Sequence, residues 1–338
     1  MTLAPIFPFA YSNQKMALCS VSGTGPFFQG SECGPGWIMR TTKSKLAFPL
    51  FALLFAFRLP LGVAAEPGTT DGSVSELLDR GLALIQAGDY GSARSVYAEV
   101  LAREPENPEA LYRMGILSFL NRDFSGAASY LEAALKADPA RQDAWKRLGD
   151  VYTKLERFKE AARSYGRACR IEYRRSIRER EGLAWLSARD LERARKIFES
   201  LLLEDPRDSH AAYYLGNVLL AMGDPAHAER CYQAAILLKP DLVEAYVNLA
   251  SIRFNEGKFT EAAGLLEKTF EVSPQSAPYD PKVLLNLGLS LWKAGERQKA
   301  ETHFKKYLGL CPQCAKAAEV KSLLDAPHLK ANEKGKGR

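Results

Sequence analysis

The sequence predicts an all-α fold, a right-handed α-solenoid of about seven helical hairpins followed by a C-terminal capping helix. Three observations support this class. One pattern recurs seven times between Val74 and Cys314, mostly at a period of 34 residues. Position 8 is glycine in six units and Ala250 in the other, and position 20 is alanine in all seven. A proline closes six units, and it ends a helix because it lacks an amide hydrogen and clashes with the preceding turn.

Each unit is predicted to fold as two helices packed against each other. Apolar residues at positions 4, 7 and 11 form one stripe at helical spacing, and those at positions 17, 20, 24 and 27 form another. Small residues at positions 8 and 20 allow the two backbones to approach closely. Since one hairpin cannot bury its apolar side alone, neighbouring hairpins must stack. The seven units span residues 74–107, 108–141, 142–174, 175–208, 209–242, 243–276 and 281–314.

Two units depart from the pattern. The third is one residue short, and Tyr173 stands where the six other units have proline. Without that proline, the second helix of the unit could continue and align several arginines on one side. Four residues, Ala277–Asp280, are inserted before the seventh unit. Both departures are expected to change the stacking of the hairpins locally.

The segment before the repeats has the organisation of an export signal. Residues 39–65 begin with basic residues, continue with a twelve-residue apolar run and end with the small residues Val63–Ala65. The apolar run is shorter than a membrane span requires, and Arg58 follows it. We therefore predict a signal peptide cleaved after Ala65 and a periplasmic location. The alternative is an uncleaved signal anchor that holds the protein at the inner membrane.

The remaining termini are predicted to carry no repeats. Residues 1–38 are rich in glycine, serine, phenylalanine and proline, without a helical period. Because a signal peptide is N-terminal, we expect Met39 to be the true start; the alternative is a disordered leader. We expect residues 66–73 to form a linker and residues 327–338 to form a disordered basic tail.

The charge distribution argues against nucleic acid as a partner. The chain carries a net charge of +6, but residues 1–65 contribute +4 and the last eleven residues contribute +3. The repeats are therefore close to neutral, whereas a general nucleic-acid-binding domain is strongly basic. The histidines accompany no nucleophile and no metal-binding motif, so we predict no enzyme activity, no cofactor and no metal. The four histidines are His210, His227, His303 and His328.

With these spacings the chain resembles tetratricopeptide repeat proteins of the exported bacterial type, over roughly 240 of its 338 residues. The resemblance implies that the first helix of each unit lines a concave groove with positions 2, 5, 6, 9, 12 and 13. Such a groove binds a segment of a partner protein. In the fifth to seventh units we predict that it contains Tyr213, Tyr214, Asn217, Val247, Asn248, Ser251, Lys282 and Asn286.

Three asparagines in this set suggest how a peptide would be held. An asparagine amide both donates and accepts hydrogen bonds, so Asn217, Asn248 and Asn286 could hold an extended backbone without demanding a particular sequence. The alternative is purely structural, because asparagine is common at these positions of the repeat. Some relatives bind a C-terminal carboxylate through a clamp of basic and amide residues. That clamp is incomplete here, since Tyr213 and Asn286 occupy two of its positions.

A second candidate site is an arginine-rich cluster in the third and fourth units. It would bind an anionic partner, such as an acidic protein segment, a phosphate-bearing polymer or lipid head groups. The alternative is a solvated charged surface on which nearby glutamates pair with the arginines. The cluster contains Arg167, Arg170, Arg174, Arg175, Arg178 and Arg180.

Cysteines and the last helix are expected to close the array. Cys311 and Cys314 form a candidate disulfide, which is plausible in an oxidising compartment. It would tie the last hairpin to a capping helix at residues 315–326, whose polar side faces solvent. Cys169 and Cys231 lie on predicted second helices and are expected to be buried small residues.

Together these features predict an exported, non-catalytic scaffold or adaptor for protein–protein interaction. It would bind a partner protein in the groove and serve the assembly of an envelope or secretion machine. One alternative is a factor that binds an anionic polymer or lipid through the arginine cluster, as in polysaccharide handling. Another is a non-catalytic subunit of an enzyme complex. Contact with a membrane is expected only through residues 39–65.

Overall fold

The computed structural model describes residues 72–325, and within them every regular element is helical. The predictions for residues 1–38, for the signal segment 39–65, for most of the linker and for the tail 327–338 lie outside these described residues. The described part confirms the predicted fold class, an α-solenoid of helical hairpins. None of its helices is both long and apolar enough to cross a membrane.

Seven hairpins and a final helix follow one another along the chain. The first helices are α1 (Val74–Gln86), α3 (Pro108–Leu120), α5 (Gln142–Lys154), α7 (Arg175–Ser187), α9 (Ser209–Ala221), α11 (Val243–Asn255) and α13 (Pro281–Lys293). The second helices are α2 (Tyr90–Arg103), α4 (Phe124–Ala137), α6 (Phe158–Ile171), α8 (Leu191–Glu204), α10 (Pro225–Leu238), α12 (Phe259–Val272) and α14 (Arg297–Leu310). The inserted residues form a 3-10 turn at Ala277–Tyr279, and α15 (Ala317–Asp325) ends the described part.

The same turn joins the two helices of every hairpin. The second of its three residues has a left-handed backbone in all seven, and four hairpins place glycine there, where a positive φ costs little. Arg122, Glu156 and Arg189 take this conformation in the other three, with φ of 61°, 59° and 62°. In four of the turns an aspartate then caps the second helix by accepting a hydrogen bond from a backbone amide. Turn chemistry therefore favours the hairpin locally, in addition to the packing of its two helices.

The two helices approach most closely where the sequence is smallest. The alanine at position 20 is fully buried in every hairpin. At position 8, a Cβ added to Gly216 would lie 2.6 Å from the ring of Tyr232, and one added to Gly288 would lie 2.5 Å from the ring of Phe304. These distances leave no room for a side chain. The prediction that small residues at positions 8 and 20 allow the two helices to approach closely is confirmed.

First helices of successive hairpins also contact each other, for example α3 with α5, α7 with α9 and α11 with α13. They therefore form one continuous layer of the array. We call the solvent-accessible surface of this layer the first-helix face.

Helix α6 does not run on past the third hairpin. It ends at Ile171, and α7 begins at Arg175, although no proline separates them. Contacts to the next hairpin explain the break. The hydroxyl of Tyr173 donates to the carboxylate of Glu204 at 2.6 and 2.7 Å, and Arg175 forms an ion pair of 2.5 Å with Asp208. These bonds hold the connecting segment in an extended course, so the expectation of a continuous helix was wrong.

The last hairpin is covered by α15. Ala317 and Val320 are buried, and Val320 belongs to the apolar cluster that contains Leu287 and Phe304 of the seventh hairpin. Cys311 and Cys314 are joined by a disulfide at the start of this connection, with Cα atoms 5.4 Å apart. The final helix thus covers apolar surface that the solenoid would otherwise leave open at its end.

Candidate functional site

A hydrogen-bonded cluster lies on the first-helix face of the fifth and sixth hairpins. Asn217 Oδ1 accepts a hydrogen bond of 2.8 Å from the Tyr232 hydroxyl and one of 2.7 Å from Asn248 Nδ2. The hydroxyl of Tyr213 lies 3.5 Å from the same Asn248 nitrogen. We call Tyr213, Asn217, Tyr232 and Asn248 the tyrosine–asparagine cluster. Its bonds connect α9, α10 and α11, so the position of each amide is set by two hairpins at once.

The hydrogen bonds change what the asparagines can offer to a ligand. The acceptor of Asn217 is already used twice within the protein. Asn248 Oδ1 accepts no hydrogen bond from residues 72–325, and it is not among their buried atoms without a partner. The cluster therefore presents one oriented carbonyl oxygen rather than a ladder of free amides. Such an oxygen can accept a hydrogen bond from a backbone or side-chain N–H group.

Most of the predicted groove residues reach the surface, but two do not. Tyr213, Tyr214, Asn217, Asn248 and Ser251 are half-buried, and Lys282 is exposed.

Val247 and Asn286 are only 3% and 6% exposed, so their assignment to an open groove was wrong. Val247 packs into the apolar cluster that α11 shares with α13. Asn286 lies in the most buried of the first helices, where every residue of 283–291 except Leu285 is buried.

Two tyrosines form an aromatic platform beside the cluster. The rings of Tyr213 and Tyr214 are 5.2 Å apart, and the ring of Phe198 supports Tyr214 at 5.4 Å. Burial raises the pKa of Tyr214 to about 12, and the negative charges of Glu179 and Glu244 contribute. Glu179 belongs to the fourth hairpin and Glu244 to the sixth. The hydroxyl of Tyr214 therefore lies within the influence of carboxylates on both sides.

On the first-helix face, the environment of Glu179 disfavours the charged form of its carboxyl group. Its side chain is half-buried and forms no ion pair or hydrogen bond with residues 72–325. Burial raises the pKa of the carboxyl above its ordinary value, and Asp208 raises it further. His210, Arg175 and Arg180 act in the opposite direction but do not compensate. Sequence reasoning treated Glu179 only as a pairing partner for the arginines.

This environment predicts a pH-dependent effect of Glu179→Gln. Because the folded state raises the pKa above 4.5, stability falls as pH rises from that value through the folded pKa. The glutamine variant has no such loss, so we expect it to be the more stable protein at pH 7, by less than about 1 kcal/mol, since water screens a half-buried charge. At pH 3.5 the two proteins should be equally stable. Urea unfolding at both pH values measures the difference, and a wild type more stable at pH 7 would contradict the assignment.

The arginine cluster is largely neutralised within the protein. Arg174 pairs with Glu172, Arg175 with Glu204 and Asp208, Arg178 with Glu181, and Arg180 with Asp150. The guanidinium of Arg167 stacks on the ring of Trp145 at 4.6 Å. These contacts fit the expected alternative, a charged surface whose glutamates pair with the arginines, and the structure does not bring the six arginines together as a free cationic patch.

Asp150, on α5, interacts with three other side chains. Its Oδ1 accepts hydrogen bonds from the Tyr165 hydroxyl at 2.8 Å and from Arg180 at 2.6 Å, and Arg147 lies 3.5 Å from its Oδ2. Only 13% of its side chain is exposed. We call these four residues the Asp150 network. It connects the third hairpin to the fourth, and sequence reasoning missed it.

The histidines and cysteines do not gather into a reactive site. Residues 72–325 contain no group of three or more histidine, cysteine or acidic side chains able to hold a metal ion. His227 contacts Asp224 at its helix cap, and His303 lies beside the ring of Phe270. Cys169 and Cys231, expected to be buried small residues, are only partly buried and pack against the apolar core.

Sequence comparisons agree with this architecture. One tetratricopeptide repeat family model matches residues 78–128, 119–174 and 257–315, and a second matches residues 186–252. The CTR9 homolog of Arabidopsis thaliana is 31% identical over 118 residues, which are 35% of this chain and 10% of that protein. The BBSome complex member BBS4 of Bos taurus is 24% identical over 65% of this chain and 42% of its own length.

A third relative is the peroxisomal targeting signal receptor of Saccharomyces cerevisiae, which is 26% identical over 61% of this chain and 41% of its own length. The chain therefore spans less than half the length of each of these curated relatives.

Solved structures show the same fold. A tetratricopeptide repeat protein from Parabacteroides merdae superposes with a TM-score of 0.54 at 20% identity, over 74% of this chain and 97% of that one. The C-terminal part of a repeat-containing protein from Cytophaga hutchinsonii gives a TM-score of 0.56 at 19% identity, over 72% and 98%. With its repeat spacing, its hairpins and these matches taken together, the chain belongs to the tetratricopeptide repeat family.

Proposed function

We propose that the protein is a non-catalytic scaffold that binds a segment of a partner protein on the first-helix face of the fourth to sixth hairpins. The tetratricopeptide fold supports the general role, a scaffold for protein–protein interaction. The observation that carries the more specific proposal is the combination of the tyrosine–asparagine cluster with the half-exposed platform of Tyr213 and Tyr214. Aromatic rings offer contact area at little entropic cost, and the fixed amide offers a directed hydrogen bond.

Preorganisation is what makes this surface suited to binding. The amides of Asn217 and Asn248 are held by each other and by tyrosine hydroxyls before any ligand arrives. Little side-chain freedom is then lost when a segment binds, which favours affinity. Two relatives bear names that agree with such a role, since one is a member of a protein complex and another is a receptor for a targeting signal.

Site-specific photo-cross-linking tests the position of the binding surface. A benzoylphenylalanine placed at Ser251, on the first-helix face of the sixth hairpin, should give a discrete adduct with one protein in cells that make the chain. The same residue at Ser129 or Gln233, which are exposed on second helices, serves as the control and should not give that adduct. An equal yield of the adduct from both sets would reject the first-helix face as the binding surface.

We further propose that the protein acts outside the cytoplasm, in the assembly of an envelope or secretion machine. The support is the signal-like sequence at residues 39–65. A fusion of residues 39–73 to a reporter enzyme that is active only after export should be active. Mass spectrometry of the purified protein should then show a chain that begins at Glu66. An inactive reporter together with an intact N-terminal segment would argue for a cytoplasmic protein.

A further inference from the structure

We propose that the first-helix face of the fourth to sixth hairpins binds a cationic side chain of the partner segment, an arginine in preference to a lysine, between the Tyr213–Tyr214 platform and the carboxylates of Glu179 and Glu244. This inference rests on the proposed function and adds the chemistry of the ligand. It is opposite in sign to the anionic partner that the arginine cluster suggested from sequence.

Register places the carboxylates and the rings together. Glu179 and Tyr213 occupy the same position of the repeat on α7 and α9, which are first helices in contact with each other. Glu244 lies one helical turn before Asn248 on α11, on the same side of that helix. The two carboxylates therefore flank the tyrosines and the one unused amide oxygen, that of Asn248.

Neither carboxylate is held by a direct ion pair, although the charges of His210, Arg175 and Arg180 lower the pKa of Glu179 and so offset part of the effect of burial. Glu179 and Glu244 form no ion pair with residues 72–325.

The arginines that could have paired with them are committed elsewhere. Arg175 is held by Asp208, and Arg180 is held by Asp150. Arg253, on the same helix as Glu244, is held by Glu229, Glu256 and Glu261. Two carboxylates without a direct ion pair therefore remain near the tyrosines.

A cationic side chain is the ligand group that this combination recognises best. A cation above a tyrosine ring is attracted by the negative face of the ring, and the attraction grows as water is excluded. The carboxylates add direct charge pairing, and Asn248 Oδ1 can accept one N–H bond. A guanidinium satisfies all three because it is planar, stacks on aromatic rings and carries five N–H donors in a fixed geometry. An ammonium group lacks the planar stacking.

The position of Glu179 gives a second reason. Its charge lies where burial opposes it, so a cationic ligand would relieve an unfavourable arrangement of the free protein. Residues held in such environments cluster at functional sites. If Glu179 had only a structural role, its replacement by glutamine would not weaken the binding of a ligand.

A peptide selection on the full chain tests the proposal. A displayed library of random dodecamers should yield sequences with arginine or lysine enriched at one position. The selected consensus is then synthesised with a fluorescent label, and its binding is measured by fluorescence anisotropy with arginine, lysine or glutamine at that position. We expect the glutamine peptide to bind about tenfold more weakly than the arginine peptide, with lysine between them.

Matched protein variants complete the test. Glu179→Gln combined with Glu244→Gln should weaken the binding of the arginine peptide about tenfold and leave the binding of the glutamine peptide unchanged. The protein variant and the glutamine peptide each remove the same charge pairing, so their effects should not add. Glu106→Gln combined with Glu267→Gln removes two exposed carboxylates outside the first-helix face and should leave both peptides unchanged. Urea unfolding of all variants verifies that loss of binding is not loss of folding.

The outcomes separate the two proposals. Selected peptides without an enriched basic residue, or full binding by the Glu179→Gln, Glu244→Gln variant, would overturn the cationic ligand and leave the scaffold proposal standing. If no peptide from the library binds the first-helix face, the proposed function itself fails, and this inference fails with it.

Discussion

Phe198→Ala is expected to lower the free energy of unfolding by about 3–5 kcal/mol, because it empties a position at the centre of the array. The Phe198 ring is fully buried, lies 5.4 Å from the ring of Tyr214 and reaches the backbone of Gly182, where an added Cβ would lie 2.9 Å from it. Alanine would leave a cavity between the fourth and fifth hairpins. Urea unfolding followed by circular dichroism and by tryptophan fluorescence measures the loss.

Leu203→Ala, on the same helix, is the matched control. The Leu203 side chain is 85% exposed, so its removal should change the free energy of unfolding by no more than about 0.5 kcal/mol. Both substitutions shorten an apolar residue of α8, and only burial distinguishes them. Equal losses would show that the burial of Phe198 between the hairpins does not limit the stability of this part of the array.

The fold was predictable because its determinants are local and repeated. The residues at positions 8 and 20 must be small because the other helix of the same hairpin packs against them, and only a short turn separates the two helices in the sequence. The same turn also recurs whether glycine or a residue such as Arg122 occupies its left-handed position. A single unit would have been a weak signal, but seven in register leave one arrangement that buries every apolar stripe.

The site was less predictable because its bonds join residues about one period apart. Asn248 bonds Asn217 across 31 residues, and Arg180 bonds Asp150 across 30. Register indicates that such residues are neighbours, but it does not say which oxygen or nitrogen each one uses. The role of Tyr232 was missed for this reason. It occupies position 24, which was predicted only as part of an apolar stripe, whereas its hydroxyl donates a hydrogen bond to the amide oxygen of Asn217.

The errors have a common physical cause. Predicting groove residues from repeat positions assumes that every first helix is equally exposed, and α13 is not, so Asn286 is buried. Predicting an anion site from a count of arginines ignores the carboxylates one period away. Arg175 illustrates this, since Glu204 is the last residue of α8 and Asp208 lies on the connection that follows it. Opposite charges separated by one period are the sequence signal that would have exposed the pairing.

The second large effect is expected for Asp150→Ala, which should lower the free energy of unfolding by about 2 kcal/mol. Alanine removes the acceptor that Tyr165 and Arg180 share, and the Tyr165 hydroxyl lies in a part of the hairpin where little water enters. Burial is the main cause that raises the pKa of the Tyr165 hydroxyl above its ordinary value, and the negative charge of Asp150 is the second. Removing that charge should therefore lower the titration midpoint of this tyrosine.

Two further variants show which part of the interaction matters. Asp150→Asn keeps an acceptor for the Tyr165 hydroxyl but removes the charge that holds Arg180, so we expect a loss smaller than that of alanine. Asp143→Ala, on the same helix, removes an exposed carboxylate that pairs with no residue of 72–325, and it should cost less than about 1 kcal/mol through the helix dipole alone. If Asp143→Ala and Asp150→Ala destabilise equally, the Asp150 network does not couple the third hairpin to the fourth. If only Asp150→Ala destabilises, the first-helix face is held together by polar bonds between neighbouring hairpins as well as by the apolar core behind it.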